Sequence, residues 1–224
     1  MDAWRGIAVL TMAAWHLGWD LGLLKVIPLG VMLSPPGVGI RYFIVCSFVL
    51  LSGICARFSR NVLRRGLIVL LAAAAVTAVT VLVGDPAWFG ILHMLGCSLV
   101  LYALLGRYLE RLPKRGALLG YLLLFVVLHA ICYSVRVNIP GLFVFGLRTP
   151  DFRSSDYYPL VPWFFLFLAG TVLGGWIRAT DTPWKRHPAP RTLVWIGRHA
   201  LWIYLLHQPA LLAILALLTG KTIW

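Results

Sequence analysis

Seven long apolar runs, at residues 3–27, 40–58, 67–83, 88–105, 117–135, 159–177 and 194–218, constrain this chain more than any other feature. Each is close to the roughly 20 apolar residues that carry an α-helix across a bilayer. A helix closes its own backbone hydrogen bonds, which lipid cannot satisfy for it. Between the runs lie only short polar segments, the longest at 136–158. Hydrophobic residues make up 61% of the 224 and charged ones 12%, against roughly 25% charged in a soluble domain. That leaves too little polar surface to cover a water-soluble globule. The expected fold class is therefore all-α: a polytopic transmembrane helical bundle of about seven spans, a single domain over residues 1–224. The first run carries Arg5, His16 and Asp20 and has no basic leader before it, so it reads as a first span rather than a cleaved signal peptide.

The net charge of +13 has the magnitude of a nucleic-acid binder, but its distribution argues otherwise. The cations cluster between apolar runs: Arg57, Arg60, Arg64 and Arg65; Arg107, Arg111, Lys114 and Arg115; Arg178, Lys185, Arg186 and Arg191. With the N-terminus cytoplasmic, 14 of the 20 Lys and Arg lie inside. Lys25, Arg41, Arg136, Arg148, Arg153 and Lys221 lie outside, so the bias supports an inside N-terminus and an outside C-terminus. Trp88, Trp163, Trp176 and Trp195 fall near span ends, as interfacial residues do. No nucleic-acid partner is expected; the partner is membrane lipid. Cys46, Cys55, Cys97 and Cys132 all sit in apolar runs without ligand spacing, which predicts reduced, buried thiols, no disulfide and no metal site.

Ionisable groups inside a span are costly, so each is a functional candidate. Arg5 and His16 are 11 residues apart, which returns them to within about 20° of one helical face. Asp20 follows His16 at i+4 on the same stripe. A carboxylate beside an imidazole can fix its tautomer and keep it basic, as a general base requires; the alternative is a structural pair tying helices together. In the last run, Arg198 and His199 fall near the inner surface, and His207 lies about 12 Å deeper, close to the depth of His16. Pro209 is expected to kink that helix and free a carbonyl. His93 sits between Gly90 and Gly96, which permit close packing, whereas nothing notable surrounds His129. On the outer side, Arg41 opens the second span. The segment 154–163, with Asp156 and Tyr158, reads equally as a lip over a cavity and as a plain helix-entry loop.

Taken in order, these segments resemble a known family. They are Asp2-x-x-Arg5-Gly6 with Met12, His16 and Asp20; Leu51-Ser52-Gly53; Gly90-Ile91-Leu92-His93; Tyr158-Pro159-Leu160-Val161-Pro162-Trp163-Phe164; and Gly197-Arg198-His199 with Ile203-Tyr204 and His207-Gln208-Pro209. The set, from Asp2 to about Pro209, is similar to the bacterial branch of the heparan-α-glucosaminide N-acetyltransferase catalytic-domain family of transmembrane acyltransferases. The resemblance implies transfer of an acetyl or other acyl group from cytoplasmic acyl-CoA, acetyl-CoA above all, to an amine or hydroxyl of a saccharide-like or small acceptor at the outer face. It points to His16 as the central histidine, in a multi-pass protein of a bacterial inner membrane. The chain lacks the extra lumenal domain and spans of the animal members, whose homodimers suggest one here.

On that reading His16 is the base, oriented by Asp20, and His207 or His93 stabilises the oxyanion or moves a second proton. Arg5, Arg198 and His199 hold the donor's phosphate end, with Arg64 and Arg65 as further candidates. Arg41, Asp156 and Tyr158 are the acceptor-side candidates. Two readings from other classes stand beside it: a proton-coupled small-molecule transporter, and a non-catalytic membrane scaffold.

Overall fold

The computed structural model describes residues 1–179 and 189–220. Lys185, Arg186 and Lys221, which entered the charge count above, lie outside the described residues. The described chain is helical, without strands: α1 (Asp2–Leu23), α2 (Gly30–Leu33), α3 (Pro35–Ala56), α4 (Val62–Leu82), α5 (Ile91–Leu109), α6 (Lys114–Ser134), α7 (Leu160–Ala179), α8 (Arg191–Arg198) and α9 (Ala200–Thr219). A 3₁₀ turn (Leu142–Phe145) sits in the longest loop. Six helices, α3 to α7 and α9, are long and apolar enough to cross a membrane. This is the all-α polytopic bundle expected from the sequence. The 22-residue α1 is equally long, but Asp2, Arg5, His16 and Asp20 leave it outside that group.

Two boundaries differ from the sequence reading. α3 begins at Pro35 rather than residue 40, because proline at a helix's first turn gives up no intrahelical bond and brings a preset φ. The last run divides at His199. The eight residues of α8 expose Arg191, Trp195 and Arg198, whereas α9 is almost wholly apolar. α9 alone is the span, and it runs through Pro209 as one helix.

The chain forms two compact units, residues 1–48 with 186–224 and residues 49–185. In the first, α1 packs on α8 and α9. Two glycines make this possible: a Cβ on Gly6 would strike the Leu193 carbonyl, and one on Gly197 would strike that of Asp2. The backbones therefore meet directly, as small residues allow in membrane helices. Val9, Met12, Ile44 and Ala200 form the core, flanked by Trp15, Phe48, Ile196, Ile203 and Tyr204. The indole N–H of Trp15 reaches the carbonyl of Gly37 at 3.2 Å.

In the second unit α4 pairs with α5 and α6 with α7. α7 is the most buried span, with Phe167 and Ala169 fully enclosed. Gly53 and Gly170 press α3 against α7 backbone to backbone, which accounts for the Leu51-Ser52-Gly53 segment. The turn from α4 to α5 is clamped by Thr77, whose hydroxyl donates to the Ala87 carbonyl at 2.8 Å, and by Thr80, which accepts from the Ala87 N–H at 3.0 Å. Outward positions such as Leu71, Leu82 and Leu119 stay exposed, a cost in water but none against acyl chains. At the basic end of this unit Arg57 pairs with Glu110, and the Tyr102 hydroxyl donates to Glu110 Oε1 at 2.6 Å. Burial works to raise the Glu110 carboxyl, but the hydrogen bonds from Arg57 and Tyr102 outweigh it and hold the group below its ordinary value.

Candidate functional site

The first unit brings together His16, Asp20, His207 and Gln208. His16 lies on α1 and His207 on α9, and their rings meet edge to face with centroids 4.9 Å apart. The sequence placed the two at one depth; packing of α1 on α9 makes them neighbours. Trp15 stacks on Trp19 at 5.4 Å and meets the His16 ring in a T-shaped contact at 5.3 Å.

The tautomer of His207 follows from its partner. Nδ1 lies 2.5 Å from the Tyr204 carbonyl, and a carbonyl can only accept. Nδ1 therefore carries the proton, and Nε2 of the neutral ring presents a lone pair. That Nε2 is buried and has no hydrogen-bond partner. An unsatisfied buried acceptor costs on the order of 1–3 kcal/mol, and such groups call for a functional explanation.

Asp20 behaves differently from expectation. It is only 2% exposed, and both carboxylate oxygens accept from Gln208 Nε2 at 3.0 Å. The i+4 spacing put it on the same stripe as His16, but one turn along α1 is also one step along α9, from His207 to Gln208. Its hydrogen bonds thus run to the neighbouring helix. Gln208 was quoted within the His207-Gln208-Pro209 segment but given no role; its place next to His207 was the available signal. Its Oε1 is buried without a hydrogen-bond partner, a second open acceptor in the same cluster.

At the other end of α1, Asp2 gathers two of the expected donor-binding cations. Arg5 Nη1 lies 3.1 Å from Asp2 Oδ1 and 3.2 Å from the Gly197 carbonyl, and Arg198 Nε lies 3.6 Å from Asp2 Oδ2. Arg198 remains exposed. His199 turns back on α8, its Nδ1 donating to the Trp195 carbonyl at 2.9 Å, and its ring lies over that indole. Arg41 is exposed, with its guanidinium 5.9 Å from the centre of the Tyr42 ring.

The remaining candidates belong to the second unit. His93 is partly buried and stacks on Phe89, centroids 5.7 Å apart. Phe89 adopts a left-handed backbone, φ 55°, a strained conformation for a bulky residue. A clasp holds it there: the Tyr158 N–H donates to the Phe89 carbonyl at 3.0 Å, and Ser154 Oγ accepts from the Trp88 N–H at 2.9 Å. Asp156 completes the clasp. Gly90 begins α5 without a side chain to cap it, and Asp156 Oδ2 accepts the Ile91 N–H at 2.9 Å instead. The segment 154–158 is thus tied to residues 85–91. His129 packs beside Phe125 and Trp163. Arg64 and Arg65 are exposed in the first turn of α4, where Asn61 caps the Arg64 N–H. The four cysteines are free thiols.

The family model "Heparan-alpha-glucosaminide N-acetyltransferase, catalytic" matches residues 1–209. No curated protein and no solved structure matches the chain. The family match covers almost the whole sequence, so the chain belongs to this family. With six helices among the described residues long and apolar enough to cross a membrane, it is a multi-pass membrane acyltransferase.

Proposed function

We propose, from the premise of that family membership, that the chain moves an acetyl or other acyl group from cytoplasmic acyl-CoA to an amine or hydroxyl of a saccharide-like or small acceptor at the outer face. The observation that carries this reading is the contact of His16 with His207, whose Nε2 lone pair is buried and unpartnered. In this reading α1 is a seventh span, and its N-terminal end faces the cytoplasm.

The chemistry needs a base, an oxyanion partner and a hold on the donor. His16 is the proposed base. The His207 lone pair, open in the resting structure, is the acceptor proposed to take an N–H of His16 during the reaction. That leaves the second His16 nitrogen unprotonated and available, the orienting part first given to Asp20. The acceptor loses its proton to His16 as it attacks the thioester carbonyl. The tetrahedral intermediate then collapses, expelling CoA thiolate, and His16 returns the proton to that sulfur. Asp20 and Gln208 fix α1 to α9 so that the two rings keep their register. Arg5 and Arg198, gathered by Asp2, are the proposed holders of the donor's phosphates. His199 lies beside them; Arg41, Asp156 and Tyr158 are each kept as acceptor-side candidates. His93, Arg64 and Arg65 stay as secondary candidates.

The test compares wild type with His16→Ala in detergent, measuring acetyl-CoA binding and release of free CoA. Loss of a general base costs roughly 10²–10⁴ in turnover. The expected outcome is retained binding with turnover reduced by that order. If neither protein binds any CoA ester, the acyl-CoA reading fails and a proton-coupled transporter takes its place. If His16→Ala only lowers thermal stability and leaves turnover alone, the histidine pair is structural.

A further inference from the structure

The second unit contains a cavity of about 580 Å³ that the acyl-transfer reading leaves unused. It opens at the basic ends of α3, α5 and α7, and its walls include Arg57, Arg60, Arg107 and Arg178, with Tyr102 and Glu110. Four guanidinium groups face one carboxylate, an excess of three positive charges around one volume. The positive-inside rule accounts for cations at this end of the spans. It does not account for four of them converging on a cavity, nor for the state of Arg57.

Arg57 is part-buried, and its Nη1 is engaged by Glu110 and lies 3.3 Å from the Tyr102 hydroxyl. Its carbonyl is held by Arg178 Nη1 at 3.0 Å, so backbone and side chain are both fixed. Yet Nε is buried with no hydrogen-bond partner. The guanidinium lies beside α7, where Gly175 leaves room for it: a Cβ there would stand 3.5 Å from Nε and Nη2. A forked donor half-used by one carboxylate oxygen matches an oxyanion that accepts two N–H groups at once. Arg60 and Arg107 are exposed and have no acidic partner among the described residues, so they can close over such an anion. Glu110 is 44% exposed in its side chain, a counter-ion free to swing into water when a stronger anion arrives. Val62 and Leu63 border the same space, which gives an ester-linked group an apolar wall.

The geometry points to a binding site for a phosphate ester at this cavity, held by Arg57, Arg60, Arg107 and Arg178, with Glu110 as the resident counter-ion that the phosphate displaces. The same chemistry has two sources, the headgroup of an anionic lipid in the adjoining leaflet and the phosphate of a soluble ligand. The site is independent of the acyl-transfer assignment, since it names binding alone and residues of the second unit alone.

The experiment uses the full chain in phosphatidylcholine nanodiscs. Inorganic pyrophosphate is titrated calorimetrically, and phosphatidylglycerol retention is measured by native mass spectrometry from mixed-lipid discs. Binding of pyrophosphate alone that the cavity variants weaken assigns a soluble ligand at the cavity; selective retention of phosphatidylglycerol that they weaken assigns a headgroup. Binding of neither, or binding that the cavity variants leave unchanged, overturns the proposal. Arg60→Gln with Arg107→Gln removes charge-assisted bonds at the cavity and is expected to weaken whichever probe binds about tenfold. Lys114→Gln with Arg115→Gln removes the same charge nearby but outside the cavity, and is expected to leave binding unchanged. Equal weakening by both pairs means a diffuse cationic surface and overturns the site. Glu110→Gln is expected to tighten binding severalfold; weaker binding in a variant that melts like wild type overturns the displacement.

Discussion

Asp20 and Gln208 carry the sharpest consequence at the level of single residues. The Asp20 carboxyl is almost fully enclosed, and the described hydrogen bonds to it come from one amide. Gln208→Leu removes both at once and leaves a polar group stranded in an apolar interior. Hydrogen bonds to a charged group are worth about 1.5–3 kcal/mol, so the variant should lose stability of that order in a detergent melt, and Asp20→Asn in the same background should restore much of it. If Gln208→Leu melts like wild type, the pair does not hold α1 to α9. His207 is read differently. Its Nδ1–H is taken by the Tyr204 carbonyl, and only Nε2 is open. His207→Gln should therefore keep the fold while lowering turnover and shifting its pH profile, because His16 loses the group proposed to set its tautomer.

Contacts between elements depend on glycines and on one borrowed cap. α1 and α8 meet through Gly6 and Gly197, each facing the other helix's backbone carbonyl. No rotamer relieves a Cβ placed against backbone, so Gly197→Ala should push the helices apart at a cost of about 1–3 kcal/mol. It should also loosen the Arg5–Asp2–Arg198 cluster, and weakened acetyl-CoA binding would report that loss. α5 starts at Gly90 with no cap of its own, and Asp156 supplies it from 65 residues beyond Ile91. Asp156→Ala should cost about 1 kcal/mol, with faster amide exchange confined to the first turn of α5 and to Phe89. Uniform exchange rates would show that the clasp does not hold that turn.

For the whole molecule, the charge bias predicts a cytoplasmic N-terminus and an outer face bearing the 154–158 loop. In a background whose four native cysteines are replaced, Ser155→Cys should react with an impermeant thiol reagent on intact cells, and Ser59→Cys only after permeabilisation. The reverse pattern would invert the assignment of donor and acceptor sides. Much of the fold was legible beforehand because lipid imposes it: a backbone in hydrocarbon must close its own hydrogen bonds, so long apolar runs had to become helices. The depths of His16 and His207 and the cation clusters followed from helical rise and charge count. Two things were decided by tertiary packing. A stripe on one helix does not say which residue of another helix fills it, so Asp20 went to Gln208 and His16 met His207. Nor could Gly90 or the clusters at 57 and 110 reveal their partners, since Asp156, Arg57 and Glu110 act across separations that only the folded chain closes. Sequence determines what each span must be; the contacts among spans choose which polar groups are satisfied and which are left open for chemistry.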